Sequence, residues 1–400
     1  MNQDSVVVVG AGPVGVLTAL GLAQAGIQVD LIEAEPAIVD SPRAMVYHWS
    51  VLDGLEKLGV LEDAEKVGFR KQDYCYIVHK TGERIEWNLA PLADHTAHPY
   101  NLHLGQNKLA EVALKHLQRL PNAKVHWNTR VTGVTQDAGG VTVLAESGGE
   151  AREFRAGWLV GADGARSQVR QALGLEFDGM TWPERFVATN VRFDLEKLGY
   201  ARSTLLIDDK YGAVIAKIDE TDLWRCTYCE SAELPEEGVL DRMSAMYQVF
   251  LRGATDYELV QYSPYRMHQR SAPRYRVGRV LLAGDAAHST NPTGGLGLTS
   301  GLFDLYVLYE ALAAVIHGEA DDEVLDLYSD ERRRTFLELA SPQASENKRL
   351  IFHSGDPARL EQDLARIRAM ASNKDLLLER ALFTRRLITP SLLGRTAAAA

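Results

Sequence analysis

The chain has 400 residues at 44.2 kDa, 46% of them hydrophobic and 24% charged, which allows two or three domains and excludes a disordered or fibrous protein. Forty-three basic against 54 acidic side chains leave a formal charge of −11, arguing against nucleic acid or an anionic membrane as the main partner. Three cysteines, Cys75, Cys226 and Cys229, cannot build a disulfide framework and fit a reducing cytoplasm.

The amino terminus lacks a basic region and runs straight into Val6–Val9, so no export signal is expected. Val6–Val9 is a β-branched run suited to a buried parallel strand. Gly10-Ala11-Gly12-Pro13-Val14-Gly15 follows, then helical apolar spacing over Val16–Ala25 and a second strand, Val29–Ile32, ending at Glu33. This is a βαβ unit with the G-x-G-x-x-G fingerprint between strand and helix. Gly10 makes the tight turn, Gly12 lets backbone N–H groups approach a pyrophosphate, and Gly15 lets the helix pack closely on the sheet. The helix amino terminus adds partial positive charge, and Pro13 removes only an N–H the helix does not use. Glu33 stands where a ribose hydroxyl needs an acceptor, which favours FAD or NAD over NADP.

Two downstream segments separate flavin from nicotinamide. Trp158-Leu159-Val160-Gly161-Ala162-Asp163-Gly164 is a strand feeding a Gly-rich turn. Arg279–Ala283 is an apolar strand that ends in Gly284-Asp285-Ala286-Ala287-His288. Pro292-Thr293-Gly294-Gly295-Leu296-Gly297-Leu298 then leads into a long helix expected from about Thr299. In order and spacing these three landmarks resemble the group A FAD-dependent aromatic monooxygenases, the p-hydroxybenzoate hydroxylase-like flavoproteins, from Val6 to about residue 345. The resemblance implies an α/β fold: a Rossmann-like FAD-binding domain, an inserted mostly antiparallel β-sheet substrate domain and a helical carboxy-terminal region. It implies FAD contacts at Asp285 (ribityl), Asp163, Arg43, Gln106 and Val131, besides Gly10–Gly15 and Glu33. Gly295, Gly297 and Leu298 belong to the helix amino end aimed at the flavin ring. Pro292 is carried over as a catalytic position and Thr293 as substrate-lining. Thr299 stands where many members have asparagine.

Residues 180–270 change character. Val187–Phe193, Ser203–Ile207, Ala213–Ile218 and Leu223–Cys229 read as strands, a helix spans Val239–Leu251, and Glu258–Tyr262 is a further strand. The segment Tyr74–Asn88 joins them as a hairpin. The expected boundaries are 1–73, 100–179 and 271–345 for the FAD-binding domain. The substrate sheet takes 74–99 and 180–270, and the carboxy-terminal helices 346–400. Tyr211, Trp224 and Arg225 are candidate substrate walls, and Tyr228 a catalytic candidate on the same sheet. His48, at the start of a helix, is the candidate proton acceptor for a phenol. Cys226-Thr227-Tyr228-Cys229 matches C-x-x-C, but residues three apart on a strand face opposite sides, so no metal or redox pair is expected. Asp94, His95, His98 and His103 read as a solvated loop. The later apolar stretch, Leu302–Ile316, contains Asp304 and Glu310 and falls short of a membrane span.

The function implied is NADH- or NADPH- and O₂-dependent hydroxylation of a phenolic or related aromatic small molecule through a flavin C4a-hydroperoxide, in the cytoplasm and with a homodimer as one option. The alternatives are a flavin-dependent halogenase, a plain NAD-binding protein and a non-catalytic flavin carrier. The Trp-x-Trp-x-Ile-Pro segment of a halogenase is missing from the sequence, and an NAD-binding protein leaves the second and third landmarks without purpose.

Overall fold

The structure is a computed structural model and describes residues 4–40 and 44–395; Arg43 lies outside the described residues. A six-stranded sheet runs in the order Arg276–Val277, Val280–Leu282, Trp158–Gly161, Ser5–Val9, Gln28–Ile32, Ala123–His126. It is parallel apart from its first pair. Ser5–Val9 sits inside the sheet and is buried along its whole length, as its unbroken valine run requires. The three landmark loops leave adjacent strands of this sheet at their carboxyl ends, where open α/β sheets bind ligands.

Two helices cross close by. Gly21 of helix Pro13–Gln24 leaves room for the Tyr309 ring, which a Cβ would meet at 2.7 Å. Tyr309 belongs to the helix Leu296–Ile316, which starts three residues earlier than expected because Gly295, in the left-handed region at φ 70°, turns the chain. This 21-residue helix is long and apolar enough to cross a membrane by length and composition. The protein uses it as core, and the acid that interrupts its apolar run, Asp304, is fully buried.

The second large sheet has eight strands in the order His288–Ser289, Glu258–Ser271, Asp178–Arg192, Leu223–Ser231, Ala213–Lys217, Ser203–Ile207, Asp73–Val78, Arg84–Asn88. All pairs are antiparallel except Ser203–Ile207 with Asp73–Val78. Its outer face, with Val187, Val191, Trp224, Cys226 and Tyr228, packs under the helix Val239–Phe250. Cys229 lies on the opposite face among Phe186, Ile351 and Phe352. All three cysteines are free. A meander (Thr129–Asp137, Gly140–Ser147, Glu150–Ala156) and a small sheet (Val46–Tyr47, Asn101–His103, Phe69–Lys71) complete the β-structure of the described residues. Beyond the core helix come Val324–Thr335, a π-helical turn at Phe336–Ala340, then Ser341–Phe352, Pro357–Ser372 and Lys374–Ala381.

Candidate active site

The glycine loop is built as a bare cradle. Gly10 holds φ 104°, and a Cβ there would lie 2.5 Å from the Ala162 carbonyl oxygen; a Cβ on Gly15 would lie 1.9 Å from that of Gly10. A Cβ on Gly12 would meet nothing within 4 Å, so its backbone faces open space. Glu33 turns back onto this loop, accepting from the Ala11 amide at 2.6 Å and the Glu35 amide at 2.9 Å. The helices starting after Gly12 and Gly295 carry no side-chain cap, so their first N–H groups are available to an anion or an electron-rich ring edge.

The other two loops meet this cradle. Val14 packs on Gly284, and Gly301 of the core helix approaches Gly284 so closely that a Cβ would lie 3.1 Å from its Cα. Asp285 is exposed between buried Gly284 and Ala286. Arg170 ties the second landmark to the third, donating to the Ala165 and Ala286 carbonyls at 2.9 Å each. Asp163 spends both carboxylate oxygens on its own loop, accepting from the Ser167 hydroxyl and from the amides of Gln168 and Val169. Burial pushes its pKa up despite these bonds. Thr299, which could have replaced the family asparagine, donates instead to the Gly295 carbonyl at 2.8 Å. Gln106 opens the helix Gln106–Leu117, its amide on the Ala44 carbonyl. Val131 buries its side chain, with a bulge between it and Gly133. A cradle open at Gly12, two uncapped helix starts and two carboxylates at strand ends suit FAD.

Comparison with known proteins agrees. Residues 3–340 match the family model described as FAD binding domain. The 6-hydroxy-3-succinoylpyridine 3-monooxygenase of Pseudomonas putida is 48% identical over 88% of this chain and 90% of its own. The para-nitrophenol 4-monooxygenase of a Pseudomonas species is 44% identical over 94% and 93%. The crystal structure of p-nitrophenol 4-monooxygenase from Pseudomonas putida superposes with a TM-score of 0.93 at 41% identity, covering 97% of this chain and 98% of that one. The chain belongs to the group A flavoprotein monooxygenases. It is an FAD-dependent aromatic hydroxylase with NADH or NADPH as donor and O₂ as co-substrate.

The monooxygenase gathers a polar cluster beside the Gly294–Gly295 turn. His48 precedes the helix Trp49–Lys57 at its N-cap position without bonding it through its side chain, and its Nε2 lies 2.8 Å from the Gly294 carbonyl oxygen. A carbonyl only accepts, so Nε2 carries the proton and Nδ1 is bare, 3.4 Å from the Asn101 amide nitrogen. Asn101 accepts from the Trp49 amide at 2.8 Å and donates to the Tyr74 hydroxyl. Pairing in the small sheet sets Asn101 opposite Lys71, and alternation puts His103 on the same face; His48 follows the strand Val46–Tyr47 directly. Lys71 lies over the Tyr74 ring, 2.9 Å from its centroid, and Trp87 stacks on Tyr74 at 4.2 Å. Burial holds the Lys71 ammonium well below its ordinary pKa.

Burial, opposed by the Gly294 bond and aided by the charges of Arg380 and Lys71, lowers His48 to about 4. Nε2 on the Gly294 carbonyl and Nδ1 towards Asn101 hold the His48 ring between the turn and the small sheet. His103 is lowered to about 3 by burial first and by Lys71 second. Both folded values lie below the unfolded 6.5, so the unfolded chain binds more protons between pH 6.5 and about 4. Stability is therefore lost as pH falls through that window, at about 1.4 kcal/mol per pH unit per proton. His103→Asn should flatten the slope of unfolding free energy between pH 6.5 and 5 by about one proton, read by urea denaturation. An unchanged slope would refute a neutral buried His103.

The expected substrate walls divide by sheet face. Trp224 and Tyr228 point outward and are fully buried beneath the helix Val239–Phe250, which removes both from the substrate and catalytic sets. Strand parity decides this: Arg225 and Thr227 alternate with Trp224, Cys226 and Tyr228, and the sequence alone does not say which face is covered. Tyr211 sits in the turn before the strand Ala213–Lys217, its ring edge-on to His79 at 5.3 Å, at the end of Asp73–Val78 opposite to Tyr74. Arg225 does face inward, as do its cross-strand neighbours Ala216 and Asn190, and pairing continues the row to Ser203, whose neighbour Thr204 pairs with Cys75. Arg225 donates to Asn190 at 3.0 Å, and Asn190 to Gln261 at 3.3 Å. Pro292 is exposed and its carbonyl holds the Gly295 amide; Thr293 is buried with its hydroxyl unbonded. The solvated-loop reading of Asp94, His95, His98 and His103 does not hold for two of them: His98 is buried, its Nε2 3.3 Å from Glu56 and 3.5 Å from Asp53, and His103 is fully buried in the small sheet.

The Tyr228 hydroxyl is buried without a hydrogen bond. Tyr228→Phe should leave KM for the aromatic substrate unchanged and stability equal or higher, since it removes an unpaired polar atom. A large rise in KM would put Tyr228 back in the pocket.

Proposed function

We propose that the enzyme hydroxylates a phenol or hydroxypyridine bearing an electron-withdrawing or anionic substituent, held between the Gly294–Gly295 turn and the polar row of the eight-stranded sheet. The observation that carries this reading is the inward row Ser203, Ala216, Arg225 and Asn190, with Tyr74 one residue before the neighbouring Cys75–Thr204 pair and linked to the Gly294–Gly295 turn through Asn101 and His48. Nitrophenol and succinoylpyridine relatives act on rings of this type.

In this reading Gly10–Gly15 hold the FAD pyrophosphate, Glu33 the adenosine ribose, Asp285 the ribityl chain, and Gly295–Leu298 the pyrimidine edge of the flavin. Bound FAD stores the electrons of the nicotinamide donor and activates O₂. The chain's own residues orient the ring and keep water out. Arg225 stabilises negative charge on the substrate, and the His48 Nε2 proton keeps the Gly294 carbonyl in place. Residues 1–73, 100–179 and 271–345 serve the cofactor, and 74–99 with 180–270 the substrate. The free cysteines support a cytoplasmic location, and the exposed Leu376, Ile388 and Leu393 support a homodimer through the carboxy-terminal helices.

The test is NADH and NADPH oxidation across a panel of substituted phenols and hydroxypyridines, with peroxide quantified alongside. Stimulation by one ring class with little peroxide is the expected result. Oxidation that none of them stimulates would refute the substrate assignment.

A further inference from the structure

Asp304 is the one acid of the described core helix that is fully buried, and nothing in the proposed chemistry uses it. Its Oδ2 accepts from the Gly284 amide at 3.0 Å and lies 2.6 Å from His288 Nε2; its Oδ1 accepts from Arg332 Nε at 2.8 Å. Arg332 has no exposed surface. The rest of its guanidinium donates to the Leu387 carbonyl at 2.8 Å, the Thr389 hydroxyl at 2.9 Å and the Ser300 carbonyl at 3.2 Å. His288 stacks on Phe336, in the π-helical turn, at 4.3 Å. One buried carboxylate therefore joins the loop that presents Asp285, the helix whose amino end faces the flavin, and the chain's last described segment.

A buried ion pair of this kind is seldom retained for stability, because desolvation cancels most of its attraction. It is well suited to fixing geometry. Arg170 holds the far side of the loop at the Ala286 carbonyl, whereas the Gly284 amide, at φ 60° with Val14 and Gly301 against it, is held by Asp304. We propose that Asp304 is a positioning residue for FAD: it aims the Gly284–Asp285 loop at the cofactor, and through Arg332 it makes that aim depend on residues 387–389. The inference rests on Asp285 being an FAD contact.

The experiment follows the release of FAD from diluted holoenzyme by recovery of free flavin fluorescence, with thermal unfolding in parallel. Asp304→Asn should release FAD at least tenfold faster than Val143→Ala, a core change in the meander whose melting loss serves as the comparison. Asp304→Leu/Arg332→Met removes both charges together and keeps the test alive should the single variant fail to fold. It should melt closer to the parent yet still release FAD quickly. Release no faster than in Val143→Ala at comparable melting loss would overturn the proposal, as would parental retention by the double variant. Asp285→Ala separates the two levels. If it keeps FAD as tightly as the parent, the cofactor reading fails; if it loses FAD while the Asp304 variants do not, only the positioning role fails.

Discussion

Arg225→Met is expected to lower kcat/KM for the preferred aromatic substrate about a hundredfold, roughly 3 kcal/mol of transition-state stabilisation, while the protein keeps its FAD. Arg225 is buried on the inner face of the substrate sheet and donates to Asn190. Burial lowers its pKa to about 10, with the charges of Tyr265 and Asp40 acting against it, so it stays protonated at neutral pH. In a low-dielectric pocket such a cation acts strongly on phenolate, nitro or carboxylate oxygens, and its loss leaves them without compensation. Methionine keeps most of the side-chain volume, which confines the change to charge and hydrogen bonding. Donor oxidation should continue with a larger share of peroxide, because a poorly held ring no longer intercepts the activated oxygen. A kcat/KM within threefold of the parent would remove Arg225 from the substrate site.

The cofactor half of the protein was legible because its chemistry is local. Gly10, Glu33 and the Gly161 and Gly284 turns each occupy a strand end, and one strand followed by one glycine-rich turn is enough to place them. The substrate half depends on which face of a sheet is covered. Trp224, Arg225 and Tyr228 lie within one strand, and only the helix Val239–Phe250 settles that Arg225 alone of the three faces away from it. The cluster around Lys71, Tyr74, Asn101 and His103 arises from pairing between segments some thirty residues apart, which no single window of sequence displays. Its trace was Asn101 and His103 alternating with Leu102 and Leu104. Asp304 left a clearer sign, one of two acids in an apolar helix; its partner Arg332 lies 28 residues on, beyond any local pattern.

Gly10→Ala should give protein that purifies without flavin colour. The added Cβ would lie 2.5 Å from the Ala162 oxygen, 2.8 Å from its carbonyl carbon and 2.9 Å from the Asp163 Cα. These are backbone atoms, so no side chain can swing aside. The strands carrying the two loops pair directly, Val9 against Gly161, and the Gly10 amide is bound to the Ile32 carbonyl at 2.8 Å. Room can come only by parting the first landmark from the second. Alanine at φ 104° adds strain of about 1–3 kcal/mol, and overpacking a similar amount. The misplacement falls where Gly12 and the helix amino end must meet a pyrophosphate. Gly26→Ala is the matched control, since Gly26 also has a positive φ, of 83°, but a Cβ there meets nothing within 4 Å. It carries the strain without the clash and should remain yellow with a slightly lowered melting temperature. Equal flavin content in the two purified variants would show that the close approach of Gly10 to Ala162 does not govern cofactor binding.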